Sequence, residues 1–256
     1  MTSRFEVWLD SSALSSLHED IYIRDIQYTP ASIQDTTQAY GGRDGQFLTR
    51  RYVGSAEVKV VLEIHSYSTR TRHDVCEQVA AWAMKGGYLT TSDRPERRLK
   101  VVCETPPSIE SALKWTDPVE IEFIAYGLPY WEDARSQKLS LTGTSASGTM
   151  KGTGYASRPF VTAEITVTGS TLTEITLSAG NTSITLQGIA LAQNGILRLF
   201  YDDANILHIT ANNASLMAYR TAQSSDDLRL EFGANTVSVA ADVAVQAKFE
   251  ARGLYL

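Results

Sequence analysis

The sequence predicts a mainly β protein in which one α-helix interrupts a chain that otherwise forms strands. Short segments with an apolar residue at every second position recur along the chain, which is typical of half-buried strands. Residues 71–85 instead carry Val75, Val79 and Trp82 at helical spacing. Ser or Thr at positions 68–71 can cap the start of this helix, and a Gly-Gly pair ends it.

The strand pattern in the first half of the chain is clearest at residues 56–65. Val58, Val60 and Leu62 point to one side there, and charged residues alternate with them. Further strands are predicted on both sides of this segment and after the helix. They cover residues 5–9, 21–27, 88–91, 99–104 and 119–125.

The composition changes near the middle of the chain. All four tryptophans and both cysteines come before residue 135, whereas the second half is rich in Thr, Ser, Ala, Asn and Gly. Residues 141–154 lack apolar periodicity and consist mainly of small residues, as linkers do. We therefore predict an N-terminal β-domain over residues 1–140, a linker over 141–154 and a C-terminal domain over 155–256.

The predicted C-terminal domain reads almost entirely as strands with Gly, Asn or Asp between them. Gly and Asn accept the positive φ that tight hairpin turns require. Short strands at roughly regular spacing predict an antiparallel β-sandwich. The predicted strands cover residues 160–168, 172–177, 183–186, 196–201, 206–209, 228–232, 236–239 and 243–249.

Charge and hydropathy exclude several classes of function. The chain of 256 residues has a net charge of −6 and no basic stripe, which disfavours binding to nucleic acid. Its apolar stretches are strand-sized, and its first residues lack the pattern of a signal peptide. Cys76 and Cys103 are therefore expected to be reduced, buried cysteines in a chain that folds in a cytoplasm.

No arrangement of residues predicts catalysis, a metal site or a cofactor site. His73 and Cys76 have a spacing seen at zinc sites, but no second pair of ligands follows. The glycine-rich residues 41–45 lack the phosphate-loop pattern. The acidic pairs at 202–203 and 226–227 lack the alternating ligands of a calcium loop. The chain is thus expected not to be an enzyme.

An ordered series of short motifs resembles the siphophage distal tail protein family. Each motif alone is weak, but the series spans nearly the whole chain, around the alternating strand and the helix with its central Trp82. The motifs are YGGRDGQFL at 40–48, DRPER at 93–97, GLPYWED at 127–133, GYASRPF at 154–160, DDLRL at 226–230 and GANTV at 233–237.

This resemblance implies an N-terminal β-domain with one helix and an extended hairpin arm, followed by a galectin-like antiparallel sandwich. It further implies a ring, with six copies joining the tail tube to the host-adsorption apparatus. Its partners would be tail tube, tape-measure and tail-tip or receptor-binding proteins. The protein would be assembled in the host cytoplasm and located at the tail tip of the virion.

The arm is expected at residues 28–56, which are rich in Ser, Thr and Gln and contain few apolar residues. A two-stranded ribbon is marginal alone in water, so pairing with the sheet edge of a neighbouring copy would stabilise it. Such head-to-tail contacts close into a ring. The alternative is a mobile surface loop. The predicted interface residues are Tyr40, Gly41, Gly42, Arg43, Asp44, Gly45, Arg50 and Arg51.

A carbohydrate-binding module that recognises the host surface is the alternative function. The sugar-binding signature of galectin-like domains is not legible, because His208 is followed by Asn212 and Asn213 without the matching Arg and Trp. The tyrosines of the second half, at 155, 201, 219 and 255, are scattered along the sequence. These departures favour the sandwich as an attachment platform.

Overall fold

A computed structural model describes residues 5–38, 47–108 and 118–256. The chain divides into two compact units, Met1–Trp131 with Leu256, and Glu132–Tyr255. Both are built from antiparallel strands, and the described residues contain one α-helix, so the predicted mainly β class is confirmed. No helix among the described residues is long and apolar enough to cross a membrane.

In the N-terminal unit, one antiparallel sheet runs in the order β2-β1-β7-β8-β9-β6-β3, and β4 and β5 form a separate two-stranded sheet. A short strand, β10, begins at the boundary of the unit. The elements are β1 (Val7–Leu9), β2 (Ser12–Ala13), β3 (Ile21–Thr29), β4 (Ile33–Gln38), β5 (Phe47–Val53), β6 (Ala56–Ile64), α1 (Thr69–Ala83), β7 (Gly87–Thr91), β8 (Arg94–Thr105), β9 (Val119–Ala125) and β10 (Trp131–Asp133).

Helix α1 supplies one side of the core of this unit. The Ser68 side chain caps its first turn by accepting a hydrogen bond from the Thr71 amide at 3.2 Å. Trp82 is 2% exposed, and its indole N–H donates to the Ser12 carbonyl oxygen at 3.2 Å. The Trp82 ring meets Phe123 of β9 edge to face, with 6.1 Å between centroids. Trp82 thus joins the helix to both the β1–β2 hairpin and the sheet.

The C-terminal unit contains a sheet in the order β14-β13-β18-β12-β15-β16-β17, with β11 paired to β18. Its buried side chains form a continuous apolar core that includes Ile165, Leu177 and Phe249. The strands are β11 (Gln137–Gly152), β12 (Val161–Val167), β13 (Leu172–Ala179), β14 (Thr182–Leu191), β15 (Ile196–Tyr201), β16 (Leu207–Ala211), β17 (Ala214–Ser215), β18 (Gly233–Ala251) and β19 (Leu254–Tyr255).

The predicted linker is wrong, because residues 141–152 belong to the long strand β11. The expected boundary at 140–141 accordingly moves to between Trp131 and Glu132. The small residues that suggested a linker serve close packing instead. A Cβ on Gly148 would lie 2.9 Å from a methyl carbon of Leu139, and one on Gly152 would lie 2.0 Å from the Glu231 carbonyl oxygen. Their lack of side chains makes room for neighbours and does not indicate a flexible segment.

A single bent strand, β18, turns the sheet around its core. The sequence predicted two strands, at 236–239 and 243–249, but they are continuous. The first half of β18 pairs with β13 and the second half with β12, so β18 connects the β13–β14 part of the sheet to the part formed by β12, β15, β16 and β17. Strand β11 follows β18 along its length and has a register shift between Gly143 and Ser145.

Residues 228–232, predicted as a strand, instead belong to an irregular segment that contacts the beginning of β12. Leu228 and Leu230 are fully buried, which explains the alternating pattern. Backbone hydrogen bonds tie this segment to Val161 and Pro159 beside β12. Slightly earlier in the chain, the hydroxyl oxygens of Ser224 and Ser225 accept hydrogen bonds from the amides of Thr185 and Ser183 in β14. The bonded amides of the edge strand β14 are thereby unavailable for pairing with other chains.

Replacing Gly154 with Ala is expected to destabilise the C-terminal unit strongly. Gly154 has a φ of +92°, and an added Cβ would lie 2.2 Å from the Leu254 carbonyl oxygen. Gly233→Ala is the matched control, since its φ is +95° but no atom lies within 4 Å of the added Cβ. The free energy of unfolding of the control should fall only by the cost of a left-handed backbone with a side chain, about 1–2 kcal/mol, and that of Gly154→Ala should fall clearly more. Chemical unfolding followed by circular dichroism measures both; equal losses would contradict the steric explanation.

Candidate assembly interface

Strands β4 and β5 form a ribbon that stands apart from the apolar core of the N-terminal unit. Every side chain of β4 and every described side chain of β5 is exposed. The exposed side chains include large apolar ones, Ile33 at 64%, Leu48 at 51% and Val53 at 39%. A two-stranded ribbon without a buried face is marginally stable by itself. The predicted arm at 28–56 therefore contains an antiparallel hairpin with apolar side chains exposed to solvent.

The base of this hairpin is held at two places. The Gly54 amide donates to the Ser32 carbonyl oxygen at 2.8 Å, which closes the ribbon where its strands begin and end. Before β4, the Tyr28 hydroxyl donates to Asp93 at 2.6 Å and lies 3.0 Å from Thr91 Oγ1. Burial and the Asp93 carboxylate raise the pKa of Tyr28 well above its ordinary value, so the phenol keeps its proton.

A stack of rings and a guanidinium continues this anchor. The guanidinium of Arg94 lies 4.3 Å from the centroid of the Tyr28 ring and 5.3 Å from that of Trp131. Tyr28 and Trp131 meet edge to face, with 5.7 Å between centroids. Asp93, Arg94 and Trp131 come from the motifs at 93–97 and 127–133, which were separate in the sequence. The structure brings them together at the base of the arm.

The structure places only part of the predicted interface. Tyr40, Gly41, Gly42, Arg43, Asp44 and Gly45 lie outside the described residues. Arg50 is exposed on β5, with its guanidinium 5.9 Å from the centroid of the Tyr52 ring. The backbone of Arg51 also lies in β5, opposite Asp35, and its side chain is outside the described part. Ile33, Leu48 and Val53 were not among the predicted interface residues, although all three are apolar residues in a polar segment.

His73 and the two cysteines, considered for metal binding or reactivity, differ in their surroundings. His73 lies on the surface of α1 near Asp74 and Glu77, with 3.8 Å between Nδ1 and the Glu77 carboxylate. These three side chains are the single such cluster among the described residues, and they are exposed or half-buried. Burial raises the pKa of the Cys76 and Cys103 thiols, and both cysteines are free. Raised pKa values keep the thiols protonated and poorly nucleophilic.

Asp202, Asp226 and Asp227 of the two acidic pairs have partners within a few residues along the chain. Asp226 contacts Arg220 at 3.0 Å, and Asp227 contacts Arg229 at 2.8 Å. Asp202 accepts hydrogen bonds from the amides of Ala204 and Ile206, both at 2.9 Å, which shapes the turn between β15 and β16.

His208, Tyr201 and the Asn212–Asn213 pair likewise have roles within the fold. His208 Nε2 lies 2.9 Å from Asp202, and its ring stacks on Phe200 with 5.3 Å between centroids. Asn212 and Asn213 have φ values of 50° and 64° and form the turn between β16 and β17. The Tyr201 hydroxyl is bonded to the backbone of Leu228. Turn geometry and loop closure thus account for these residues without a sugar.

Asp202 gives this turn a defined pH dependence. Its hydrogen bonds to His208 and then to the Ile206 amide lower the pKa of the carboxyl below its ordinary value. The contribution of Asp202 to stability is therefore complete above the ordinary Asp pKa of about 3.9, and it is lost as pH falls through the lower, folded pKa. We expect Asp202→Asn to be less stable than the unaltered chain near neutral pH, and the difference to shrink towards about pH 3.

Unfolding free energies of the two proteins at a series of pH values test this expectation. Asp203→Asn removes one charge from the same loop and serves as the control. A difference in unfolding free energy between Asp202→Asn and the unaltered chain that stays constant as the pH falls would exclude this role for Asp202.

Comparisons with known proteins point to bacteriophage tails. Residues 16–125, within the N-terminal unit, match the family model of the phage tail protein RIFT-related domain. No curated protein sequence matches the chain significantly. Among solved structures, the crystal structure of the SPP1 Dit (gp 19.1) protein has a TM-score of 0.67 at 16% identity, over 98% of this chain and 99% of that one. That protein is described as a paradigm of the hub adsorption apparatus in phages that infect Gram-positive hosts.

A second solved structure extends the likeness to baseplates. A chain of the phage P2 baseplate, in its activated conformation with Ca, has a TM-score of 0.52 at 9% identity, over 99% of this chain and 98% of that one. At these identities the comparison establishes the fold. Residues 16–125 thus match the phage tail protein RIFT-related domain family, and the chain as a whole has the fold of the SPP1 Dit protein.

Proposed function

We propose that this chain is a structural, non-enzymatic component of a phage tail tip that assembles into a ring of six copies. The ring joins the tail tube to the host-adsorption apparatus. The observation that carries the proposal is the β4–β5 hairpin, in which every described side chain is exposed although several are large and apolar. Such a surface is typical of a site that contacts another protein. The match of residues 16–125 to a phage tail domain supports the same setting.

In the proposed mechanism, the arm of each copy contacts the next copy, and all these contacts run in the same direction around the ring. A contact between two different surfaces of identical chains closes into a ring when its rotation divides a full turn. The anchored base, with Tyr28 bonded to Asp93 and Gly54 bonded to Ser32, sets the direction in which the arm leaves its unit. The remaining partners are tail tube, tape-measure and tail-tip or receptor-binding proteins in the virion.

Native mass spectrometry and negative-stain imaging of the purified chain test the proposal. We expect a discrete species of six copies at micromolar concentration, with a central opening in the images. Because the predicted interface includes the charged residues Arg43, Asp44, Arg50 and Arg51, the assembled fraction should fall at high ionic strength. A monomer throughout the micromolar range at low salt would exclude self-assembly as the function.

A further inference from the structure

We propose that His73, Asp74 and Glu77 bind one divalent transition-metal ion of the Zn²⁺ type on the surface of α1. His73 Nδ1 lies 3.8 Å from a carboxylate oxygen of Glu77 and 4.0 Å from one of Asp74. The three candidate ligand atoms all lie within 4.8 Å of one another. This inference is separate from the proposed function, because it concerns a site within a single copy of the chain.

The distances between these atoms suit a cation of this size. Zn²⁺ is held by imidazole nitrogen and carboxylate oxygen at about 2.0–2.2 Å, usually in tetrahedral geometry, which places two ligand atoms about 3.4 Å apart. The separations of 3.8 and 4.0 Å exceed that spacing by about 0.5 Å, and side chains that are 41–60% exposed can close such a gap by rotating about their χ angles. Three protein ligands leave the fourth position to water.

The two carboxylates have no competing cation. In the part of the chain that the structure describes, no Lys or Arg lies within 4.0 Å of Asp74 or Glu77, and His73 is the ion-pair partner of both. Arg70 stands four residues before Asp74, which is the spacing of a helical ion pair, yet these two residues form none. Two carboxylates therefore converge on one imidazole nitrogen, and a charge of +2 would neutralise both.

Other pairs of histidine and carboxylate lack this arrangement. His65 Nε2 lies 3.1 Å from Glu63, but Arg24 also binds that carboxylate, at 3.2 Å. His208 Nε2 lies 2.9 Å from Asp202, whose carboxylate already accepts two backbone hydrogen bonds. Each of these histidines has one carboxylate partner, and that partner is engaged elsewhere. The comparison indicates that the site on α1 is not a general property of surface histidines in this chain.

The ligand set favours a transition metal over Mg²⁺ or Ca²⁺. Imidazole nitrogen suits Zn²⁺, Ni²⁺ and Cu²⁺, whereas Mg²⁺ and Ca²⁺ take oxygen ligands. His73 and Glu77 are four residues apart and therefore neighbours on one helix face. The Ser68 cap and the buried Trp82 hold the backbone of α1 in place, so this spacing exists before a metal binds. Cys76, considered as a second ligand from the sequence, is 0% exposed and does not take part.

Isothermal titration of the unaltered chain with ZnCl₂ in a phosphate-free buffer tests the site. We expect one ion to bind per chain at micromolar concentration, and MgCl₂ to give no binding heat. His73→Ala removes the nitrogen ligand and should weaken the affinity for Zn²⁺ at least about tenfold, and Glu77→Gln should weaken it less. His65→Ala is the matched control, since His65 is 46% exposed in the same unit, and its affinity for Zn²⁺ should equal that of the unaltered chain.

Urea unfolding supplies a second readout. A cation that binds the folded helix stabilises the N-terminal unit. Saturating ZnCl₂ should therefore raise the midpoint of the tryptophan-fluorescence transition in the unaltered chain and in His65→Ala, but not in His73→Ala. The absence of saturable binding to the unaltered chain would overturn the proposal, and so would an unchanged affinity in His73→Ala. Neither measurement depends on ring formation, so failure of this site and failure of the proposed function are distinguishable.

Discussion

Removal of residues 36–50 is expected to abolish the ring while both units stay folded. The deletion takes away the second half of β4 and the first four residues of β5 and leaves β3, β6 and the Tyr28–Asp93 anchor intact. Since every described side chain among residues 36–50 is exposed, the free energy of unfolding should change by less than about 1 kcal/mol. Native mass spectrometry should show only monomer at concentrations where the unaltered chain forms rings.

A chain in which a Gly-Ser segment of equal length replaces residues 36–50 controls for loop length. It should also be monomeric, because it preserves the length of the connection but none of the side chains of residues 36–50. Tryptophan fluorescence checks the folding of the N-terminal unit, and circular dichroism checks the whole chain. Persistence of the ring in the deletion would locate the subunit contact elsewhere, and loss of the folded state would show that the arm belongs to the core.

Replacing Trp82 with Ala is expected to cost the N-terminal unit about 3–5 kcal/mol of stability. The substitution removes a nearly buried ring, the edge-to-face contact with Phe123 and the hydrogen bond to the Ser12 carbonyl oxygen. Trp82→Phe should cost less, because it keeps an aromatic ring in the cavity and loses mainly the hydrogen bond. Tyr67→Ala is the control, as Tyr67 is 93% exposed just before the same helix.

The distribution of tryptophans makes this experiment specific to one unit. All four tryptophans lie in residues 1–131, so fluorescence during urea unfolding reports the N-terminal unit. Circular dichroism reports both units and should show the C-terminal transition unchanged in Trp82→Ala. A loss below about 1 kcal/mol would mean that Trp82 does not join the helix to the sheet as described. A shift of both transitions would instead indicate that the two units unfold together.

Local patterns were reliable where one element buries one face. The helix predicted at 71–85 is observed at Thr69–Ala83, and its Ser68 cap and following Gly pair are both local signals. Residues 119–125 and 196–201 were predicted as strands with the observed bounds, because an apolar residue at every second position requires no knowledge of the neighbours.

Long-range packing explains the errors. The residues at 141–152 look like a linker because they are small. Close neighbours explain the two glycines, because a Cβ on Gly148 would lie 2.9–3.2 Å from the side chains of Leu139 and Leu141, and one on Gly152 would lie 2.0 Å from the Glu231 carbonyl oxygen. The segment at 228–232 alternates like a strand because Leu228 and Leu230 enter the core, yet it is irregular and is held by backbone hydrogen bonds to Pro159 and Val161 where β12 begins. Small size and alternation each have two physical causes, and only the neighbours in space decide between them.

The assembly site shows the same division. The polar composition of residues 28–56 was enough to predict a segment without a core of its own, because burial requires apolar residues. The tertiary structure alone decided which side chains share a face, since one extra residue at Thr49 reverses the alternation for Leu48. It also assembled the anchor of Tyr28, Asp93, Arg94 and Trp131 from distant segments, because cross-strand register is set by pairing partners and not by the sequence of either strand alone.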